Sequence, residues 1–319
     1  MTRLVFLDPF ALSRTEQIGA LLPDGWELSV AKSRAVADQL AALSGADFAV
    51  TADVPVTAEM FAVPGLKGVH KWGVGYDNID LDAARANGVR VMRTTGSNAV
   101  AVAETALAMM LALNRNLVRG HMGVLEGKWL KSECAQSSTR LSGKTVGIVG
   151  LGHIGTALAR LLAGFGCTIL YTKRTPLSAE EEQALGVTHV ALDRLLRESD
   201  VVSLHCALNE GTANLIDAAA LAKMKPDAIL INAARGGVVV ESDLAAAVRE
   251  GRLRGAAVDV FATEPVEPDN PLVGLDGVIV TPHVAALTSD GFVPSITRMI
   301  ANMVAVDQGR EPAGIDIIV

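Results

Sequence analysis

Lys144-Thr145-Val146-Gly147-Ile148-Val149-Gly150-Leu151-Gly152-His153-Ile154-Gly155 is the stretch whose reading decides the fold. Its first half is a short apolar run of the kind that forms a buried parallel strand. Its second half is a glycine turn, and Thr156–Phe165 beyond it has helical apolar spacing. Strand, glycine turn and helix in that order make a dinucleotide-binding unit. Gly150 permits the tight turn, Gly152 lets the backbone approach a pyrophosphate, and Gly155 lets the helix pack closely on the strand. The unpaired N–H groups and dipole at the helix start favour an anion there. His153 would cover the pyrophosphate, with Ile154 beside it in the loop.

Outward from the loop, Thr168–Tyr171 reads as the second strand. The end of this strand separates NAD from NADP, because an acid there binds the ribose 2′-hydroxyl. The sequence runs Leu170-Tyr171-Thr172-Lys173-Arg174-Thr175 and contains no acid. Thr172, Lys173 and Arg174 put a hydroxyl and two cations where a 2′-phosphate would lie, which favours NADP over NAD. The alternative is an exposed basic turn that tolerates either cofactor.

The same alternation extends in both directions. Strands are expected at Val201–His205, Ala228–Asn232, Gly255–Val260 and Val278–Thr281, separated by helices at Leu192–Arg197, Asp217–Lys223 and Ser242–Glu250. Nearer the N-terminus, strands at Leu4–Leu7, Phe48–Val50, Gly68–His70 and Val89–Val91 alternate with helices at Ser13–Leu22, Ala35–Ala42 and Leu81–Asn87. Such alternation implies βαβ units and mostly parallel sheets. Between the two halves, Val100 to about Val118 is apolar nearly all round, so it should be buried on more than one side, at a domain or subunit interface. A polar stretch, Ser132 to Ser142, then resets the pattern.

Composition sets the bounds. A chain of 319 residues is too long for one ordinary core and predicts two domains. The net charge of −7 argues against nucleic acid as a partner. Cys134, Cys167 and Cys206 show no metal-type spacing, and no His/Asp/Glu cluster does, so no metal is expected. The apolar N-terminus, Met1–Leu7, reads as a strand rather than a leader, and no apolar run is long enough for a membrane span. A cytoplasmic address is the default expectation, with no membrane partner.

Three runs carry chemistry: Asn232-Ala233-Ala234-Arg235-Gly236-Gly237, Asp259-Val260-Phe261-Ala262-Thr263-Glu264-Pro265, and Thr281-Pro282-His283. Each follows a predicted strand, and ligands of open α/β sheets bind at the carboxyl ends of strands. Taken singly, Arg235 reads as a turn charge, Glu264 as a loop acid and His283 as a loop histidine. Together they would supply what 2-keto acid reduction asks of a protein. Arg235 would grip the carboxylate, His283 would give the proton, and Glu264 would hold the imidazole in its protonated form. His205 ends a strand where it would line the cofactor crevice, while His70, His121 and His189 have no constellation around them.

These runs resemble the D-isomer-specific 2-hydroxyacid dehydrogenase family. Gly73-Val74-Gly75-Tyr76-Asp77-Asn78-Ile79-Asp80 looks like that family's substrate loop, and Ser97-Asn98 through Ala103-Glu104 like its crossing between domains. The resemblance implies an α/β chain of two Rossmann-like, doubly wound parallel-sheet domains, the nucleotide domain inserted into the substrate domain. Here that places residues 1–98 and 287–319 in the substrate domain and residues 99–286 in the dinucleotide-binding domain. It implies a homodimer with the long helix after Glu104 in the interface. Residue by residue, it implies catalytic roles for Arg235, Glu264 and His283, and nicotinamide-side contacts from Asp259 and Ala233. The N–H groups of Val74 and Gly75 would bind the substrate carboxylate together with Arg235 and His283.

The departures from the family pattern matter too. Thr172 stands where NAD-preferring members carry Asp. His205-Cys206-Ala207-Leu208 replaces a proline-containing run beside the cofactor. Lys71 precedes the substrate loop, either as an added cation for an anionic substrate or as a solvent-facing charge. With the sequence ending at Val319, the regulatory domain of some phosphoglycerate dehydrogenases is not expected. The expected reaction is NADPH- or NADH-dependent reduction of glyoxylate or hydroxypyruvate. The alternatives are oxidation of D-3-phosphoglycerate or another D-2-hydroxy acid, and a non-catalytic nucleotide-sensing corepressor.

Overall fold

The computed structural model describes all 319 residues. The chain forms two units, Met1–Asn98 with Thr288–Val319, and Ala99–Leu287. The return to the first unit thus comes one residue later than expected, with Leu287 grouped in the second.

The first unit holds a five-stranded parallel sheet: β1 (Thr2–Phe6), β2 (Trp26–Val30), β3 (Phe48–Thr51), β4 (Gly68–Lys71) and β5 (Arg90–Arg93) in the order β2-β1-β3-β4-β5. That order is the flavodoxin-like form of a doubly wound sheet. The edge strand β2 is not among the strands read from the sequence. Its residues Trp-Glu-Leu-Ser-Val alternate and stay half-exposed, so they lack the apolar run that marks β1 and β3. Helix Ser289–Asp307 packs Ile296, Met299 and Met303 against Leu4, Phe48 and Met92 of this sheet. It starts four residues before the expected Val293, because Thr288 caps the Gly291 N–H, and it takes Pro294 into its interior. The last residues run back along the sheet edge, with Ile318 N–H donating to Val91 O.

A buried carboxylate ties this return to the sheet. Asp316, fully buried, accepts from Thr95 N–H at 2.8 Å, from Arg298 through both oxygens and from Asn302 at 3.1 Å. Burial alone would raise its pKa, but these donors outweigh it and hold the carboxyl below the usual range. His70, which had no constellation in sequence, belongs to the same network. Its Nδ1 donates to Lys71 O at 2.9 Å, so Nε2 is left to accept from Asn302 at 3.3 Å. Burial pushes its pKa down to about 4 and keeps the ring neutral.

The second unit holds seven parallel strands: β6 (Thr145–Val149), β7 (Thr168–Thr172), β8 (Val187–His189), β9 (Val201–Leu204), β10 (Ile229–Asn232), β11 (Gly255–Val258) and β12 (Val278–Val280). They lie in the order β12-β11-β10-β9-β6-β7-β8. The first strand of the unit, β6, therefore has β7 on one side and β9 on the other, and the chain reverses its direction across the sheet there. That reversal opens a crevice at the carboxyl ends of β6 and β9, where such sheets bind ligands. The three-residue edge strand β8 is too short to have been read from the sequence.

Apolar clusters cover both faces of this sheet. Helix Ala99–Asn114 packs Ala103, Ala106 and Met110 beside Leu158 and Leu162 of helix His153–Ala163. The single segment expected from Val100 to Val118 is instead broken at Asn116, whose φ of 53° is left-handed, and helix Leu117–Leu125 follows. The polar stretch after it contains a further helix, Lys131–Ser137. Leu117, Met122, Val124, Leu125 and Trp129 of this region are all exposed.

Candidate active site

The glycine turn is held by contacts that exclude side chains. Gly150 has φ 97°, and a Cβ there would lie 2.6 Å from the Cys206 nitrogen. A Cβ on Gly155 would lie 2.4 Å from Gly150 O. Both distances are below any real carbon contact, so these positions require glycine. Nothing lies within 4 Å of a Cβ built on Gly152, the position that should face a pyrophosphate. Helix His153–Ala163 begins directly after it, and the first-turn N–H groups of His153, Ile154 and Gly155 have no intrahelical acceptor. An open approach beside a row of free donors fits a dinucleotide.

The turn is flanked on both sides by the segments singled out in the sequence. Gly150 N–H donates to Thr172 O at 2.9 Å, which sets Thr172-Lys173-Arg174 beside the loop. Thr172 and Lys173 are half-buried and Arg174 is exposed. The Lys173 charge also reaches Glu181, whose carboxyl is held low first by its hydrogen bonds with Ser178 and then by this lysine. On the other side His205 N–H donates to Val149 O at 2.8 Å. The His205 ring is buried, and burial pushes its pKa down to about 4. One ring nitrogen meets Ser203 Oγ at 2.8 Å, while Nδ1 has no partner. Burial raises the Cys206 thiol to about 11, so it is not a nucleophile at neutral pH.

The three chemical runs meet at the carboxyl ends of β10, β11 and β12. Asn232 closes β10 and shapes the next turn, accepting from Ala234 N–H through Oδ1 and donating from Nδ2 to Arg235 O at 3.0 Å. Ala233 lies half-buried in that turn. A Cβ on Gly236 would lie 1.9 Å from the Phe261 carbonyl carbon. The Arg235 turn is thereby pressed directly onto the loop that carries Glu264.

Asp259, expected at the nicotinamide carboxamide, is buried and has both oxygens engaged by the next loop. Oδ1 accepts from Thr281 Oγ1 at 2.5 Å and from Val284 N–H at 2.9 Å, and Oδ2 from Ala285 N–H at 2.8 Å. Its backbone oxygen accepts the His283 N–H at 2.8 Å. His283 itself has φ 54°, a conformation rare outside glycine, and these bonds on either side hold it there.

His283 Nδ1 lies 2.7 Å from Glu264 Oε2, and Glu264 Oε1 accepts from Phe261 N–H at 2.9 Å. The pair is one-third exposed. Its hydrogen bond to Glu264 raises the His283 pKa above the ordinary imidazole value, against burial and against the Arg235 charge. Burial raises Glu264, but the hydrogen bonds from His283 and Phe261 outweigh it and leave the carboxyl below its usual range. The pair favours the protonated ring over a free imidazole, with Nε2 left to act. Arg235 Nη1 donates to Ala234 O at 2.8 Å, and its charge is felt by both members of the pair.

The loop expected to bind substrate, Gly73–Asp80, lies on the first unit, after β4. The N–H groups of Val74 and Gly75 have no acceptor within the chain. Arg93, at the end of β5, donates from Nη1 to Val74 O at 3.0 Å and lies over the Tyr76 ring at 5.2 Å. Lys71 neither faces solvent nor stands as a spare cation. It is buried, and Nζ donates to Ala52 O and to Asn78 Oδ1 at the far end of the loop. Arg93 and Lys71 therefore position this loop. The sequence signalled Arg93 only through its place at a strand end, and Gly236 only as the first glycine after Arg235.

Comparison with known proteins agrees with this geometry. Residues 107–285 match the sequence profile described as "D-isomer specific 2-hydroxyacid dehydrogenase, NAD binding domain". A glyoxylate reductase of Korarchaeum cryptofilum is 40% identical over 262 residues, which are 81% of this chain and 78% of that protein. A D-3-phosphoglycerate dehydrogenase of Mycobacterium bovis is 45% identical over 242 residues, 76% of this chain but 44% of that longer protein. Among solved structures, the TT0316 protein of Thermus thermophilus superposes with a TM-score of 0.87 at 32% identity, covering 100% of both chains. With the glycine turn, the hydrogen-bonded His–Glu pair and the arginine turn on one sheet edge, this chain belongs to the D-isomer-specific 2-hydroxyacid dehydrogenase family.

Proposed function

We propose that this protein reduces a small 2-keto acid, glyoxylate or hydroxypyruvate, to the corresponding 2-hydroxy acid, of D configuration where the product is chiral. The observation that carries the reading is the 2.7 Å contact between His283 and Glu264, which favours the protonated form of an imidazole beside Arg235. When bound, the reduced nicotinamide supplies the hydride. On the second unit Arg235 grips the substrate carboxylate and polarises the carbonyl; on the first, the N–H groups of Val74 and Gly75 are free to donate to a carboxylate. Nε2 of His283 gives its proton to the carbonyl oxygen as the hydride arrives at carbon. The imidazole then stays neutral, its Nδ1–H still donated to Glu264. Hydride plus proton converts the carbonyl to the alcohol, and the histidine is reprotonated from solvent. Asp259 holds the histidine loop while this happens, and Ala233 and His205 line the nicotinamide side.

We assign NADPH as the preferred reductant, because no acid stands at Thr172 and Lys173 and Arg174 follow it. The exposed apolar run Leu117–Trp129 supports a homodimer built on this region. The likeness to D-3-phosphoglycerate dehydrogenases supports a second reading, oxidation of that phosphorylated acid.

Oxidation of NADPH in the presence of glyoxylate, hydroxypyruvate or other 2-keto acids tests the reading, with reduction of NAD⁺ or NADP⁺ by D-3-phosphoglycerate in parallel. Turnover is expected with glyoxylate or hydroxypyruvate, and His283→Gln should lower kcat by about 10²–10⁴-fold with unchanged NADPH affinity. Tight cofactor binding without turnover on any acid would instead indicate a nucleotide-sensing scaffold.

The pH profile follows from the raised histidine. Reduction needs protonated His283, so its rate should be flat at low pH and fall as pH rises through a value above 6.5. Oxidation of the hydroxy acid needs the neutral ring and should rise over the same range. Glu264→Gln removes the charge that raises His283 and should move both limbs to lower pH. Unmoved limbs would show that the pair does not set the profile.

Thr172→Asp should lower the NADPH-to-NADH ratio of kcat/KM by about tenfold or more, through repulsion of the 2′-phosphate and a new bond to the 2′-hydroxyl. Sedimentation should give a dimer, and Leu125→Glu with Trp129→Glu should shift it to monomer. A wild-type monomer would remove the dimer from the reading.

A further inference from the structure

Arg93 stands half-buried at the end of β5, next to the end of β4 from which the Gly73–Asp80 loop departs. Its guanidinium makes two hydrogen bonds, neither of them to a carboxylate. Nε donates to Thr95 Oγ1 at 3.0 Å and Nη1 donates to Val74 O at 3.0 Å. The guanidinium carbon lies over the Tyr76 ring, 5.2 Å from its centroid. Two bonds and a stacked ring fix a planar fork that is already rigid. The anchor is itself held. Thr95 Oγ1 donates onward to Ile315 O at 2.6 Å, and Thr95 N–H donates to the buried Asp316 at 2.8 Å. The Asp316 network thus reaches the Gly73–Asp80 loop through Thr95 and Arg93.

Arg93 bonds one particular peptide of that loop. Val74 O and Gly75 N–H belong to the same peptide group, and that group is trans. Its carbonyl and its N–H therefore point in opposite directions across a rigid plane. An arginine on the carbonyl side turns the N–H away from itself. Gly75 N–H, like Val74 N–H, has no acceptor within the chain. Glycines on both sides of Val74 leave the backbone here easy to rotate, with Gly73 already at φ 132°. The bond from Arg93 removes that freedom.

The same bond strengthens the donor it aims. A cation donating to a carbonyl makes a stronger hydrogen bond than a neutral donor does. Hydrogen bonds in a chain polarise one another, so the N–H across the peptide becomes the better donor to an anion. A simple brace could grip any carbonyl of the loop. Arg93 grips the one whose peptide N–H is left open.

We propose that Arg93 is a positioning residue for the substrate carboxylate, acting through the Gly75 N–H that it aims and polarises. The proposal rests on the reading above that Val74 and Gly75 hold that carboxylate. A carboxylate remote from the reacting carbonyl is held alike in the ground state and the transition state. Weakening its grip raises KM and leaves kcat almost unchanged.

Arg93→Met keeps the apolar stem and removes the donor and the charge. KM for glyoxylate or hydroxypyruvate should rise about tenfold, with kcat within about twofold, as expected for loss of one charged hydrogen bond. Arg93→Lys should recover part of the loss, and Thr95→Val, which removes the acceptor of Nε, should raise KM by less. The pH limb set by His283 and the affinity for NADPH should stay in place in all three. Calorimetric titration of the NADPH-saturated full chain with oxamate, a carboxylate that the enzyme cannot reduce, reads the same grip without turnover. Its Kd should rise about tenfold in Arg93→Met. Unchanged KM and oxamate affinity in Arg93→Met overturn the proposal, as does a fall in kcat at constant KM. If Arg93→Met does not fold, unchanged KM in both Arg93→Lys and Thr95→Val overturns it instead. Turnover by the wild type with unaltered variants would remove this role and leave the reductase reading. Oxamate binding that Arg93→Met weakens, without turnover by the wild type, would remove that reading and leave this role. Neither binding nor turnover would remove both.

Discussion

The active face depends on one buried carboxylate. Asp259 directly follows β11, and an unpaired charge there would be prohibitive. Three donors from the Thr281–Ala285 loop satisfy it, so the loop has a single place to sit. That place forces His283 into the left-handed region and sets Nδ1 against Glu264. The cost of an unfavourable backbone at His283 is offset by bonds that would be lost if it relaxed. Asp316 does the same in the other unit, gathering Thr95, Arg298 and Asn302 around one buried charge. In both cases the cost of burying a carboxylate is what makes the local geometry unique.

Close approach of backbone to backbone is the second constraint. The Arg235 turn lies against the Phe261 carbonyl with no room for a Cβ at Gly236, and the Gly150 turn lies against Cys206 in the same way. These contacts stack the loops after neighbouring strands into one continuous edge. Arginine, glutamate and histidine share an environment because the loops that carry them cannot separate. The opposite edge of the sheet is built differently, from charged side chains rather than tight turns, and leaves a polar cavity.

Much of this was legible beforehand because it rests on local rules. A glycine pattern between an apolar strand and a helix has a single backbone solution, so the turn at Gly150–Gly155 and its bare Gly152 could be read directly. The positions of Arg235, Glu264 and His283 after strands were enough to place them on one edge. Elements without a strong apolar signal were harder. The half-exposed β2 and the short β8 carry no buried run, and the break at Asn116 lies inside a segment whose composition is continuous. Lys71 was ambiguous because a lysine's burial depends on whether distant acceptors, here Ala52 O and Asn78, happen to converge on it.

By itself, the sequence determined that two sheets of parallel strands form, that a dinucleotide loop lies in the second, and that Arg235, Glu264 and His283 follow neighbouring strands of it. Periodicity and turn chemistry act over a few residues and are written in the chain. Only the tertiary structure decided that Asp259 holds the histidine loop, that Asp316 and His70 share one network, and that Lys71 and Arg93 brace the Gly73–Asp80 loop. These are contacts between residues far apart in sequence, set by which polar groups must find partners once water is excluded.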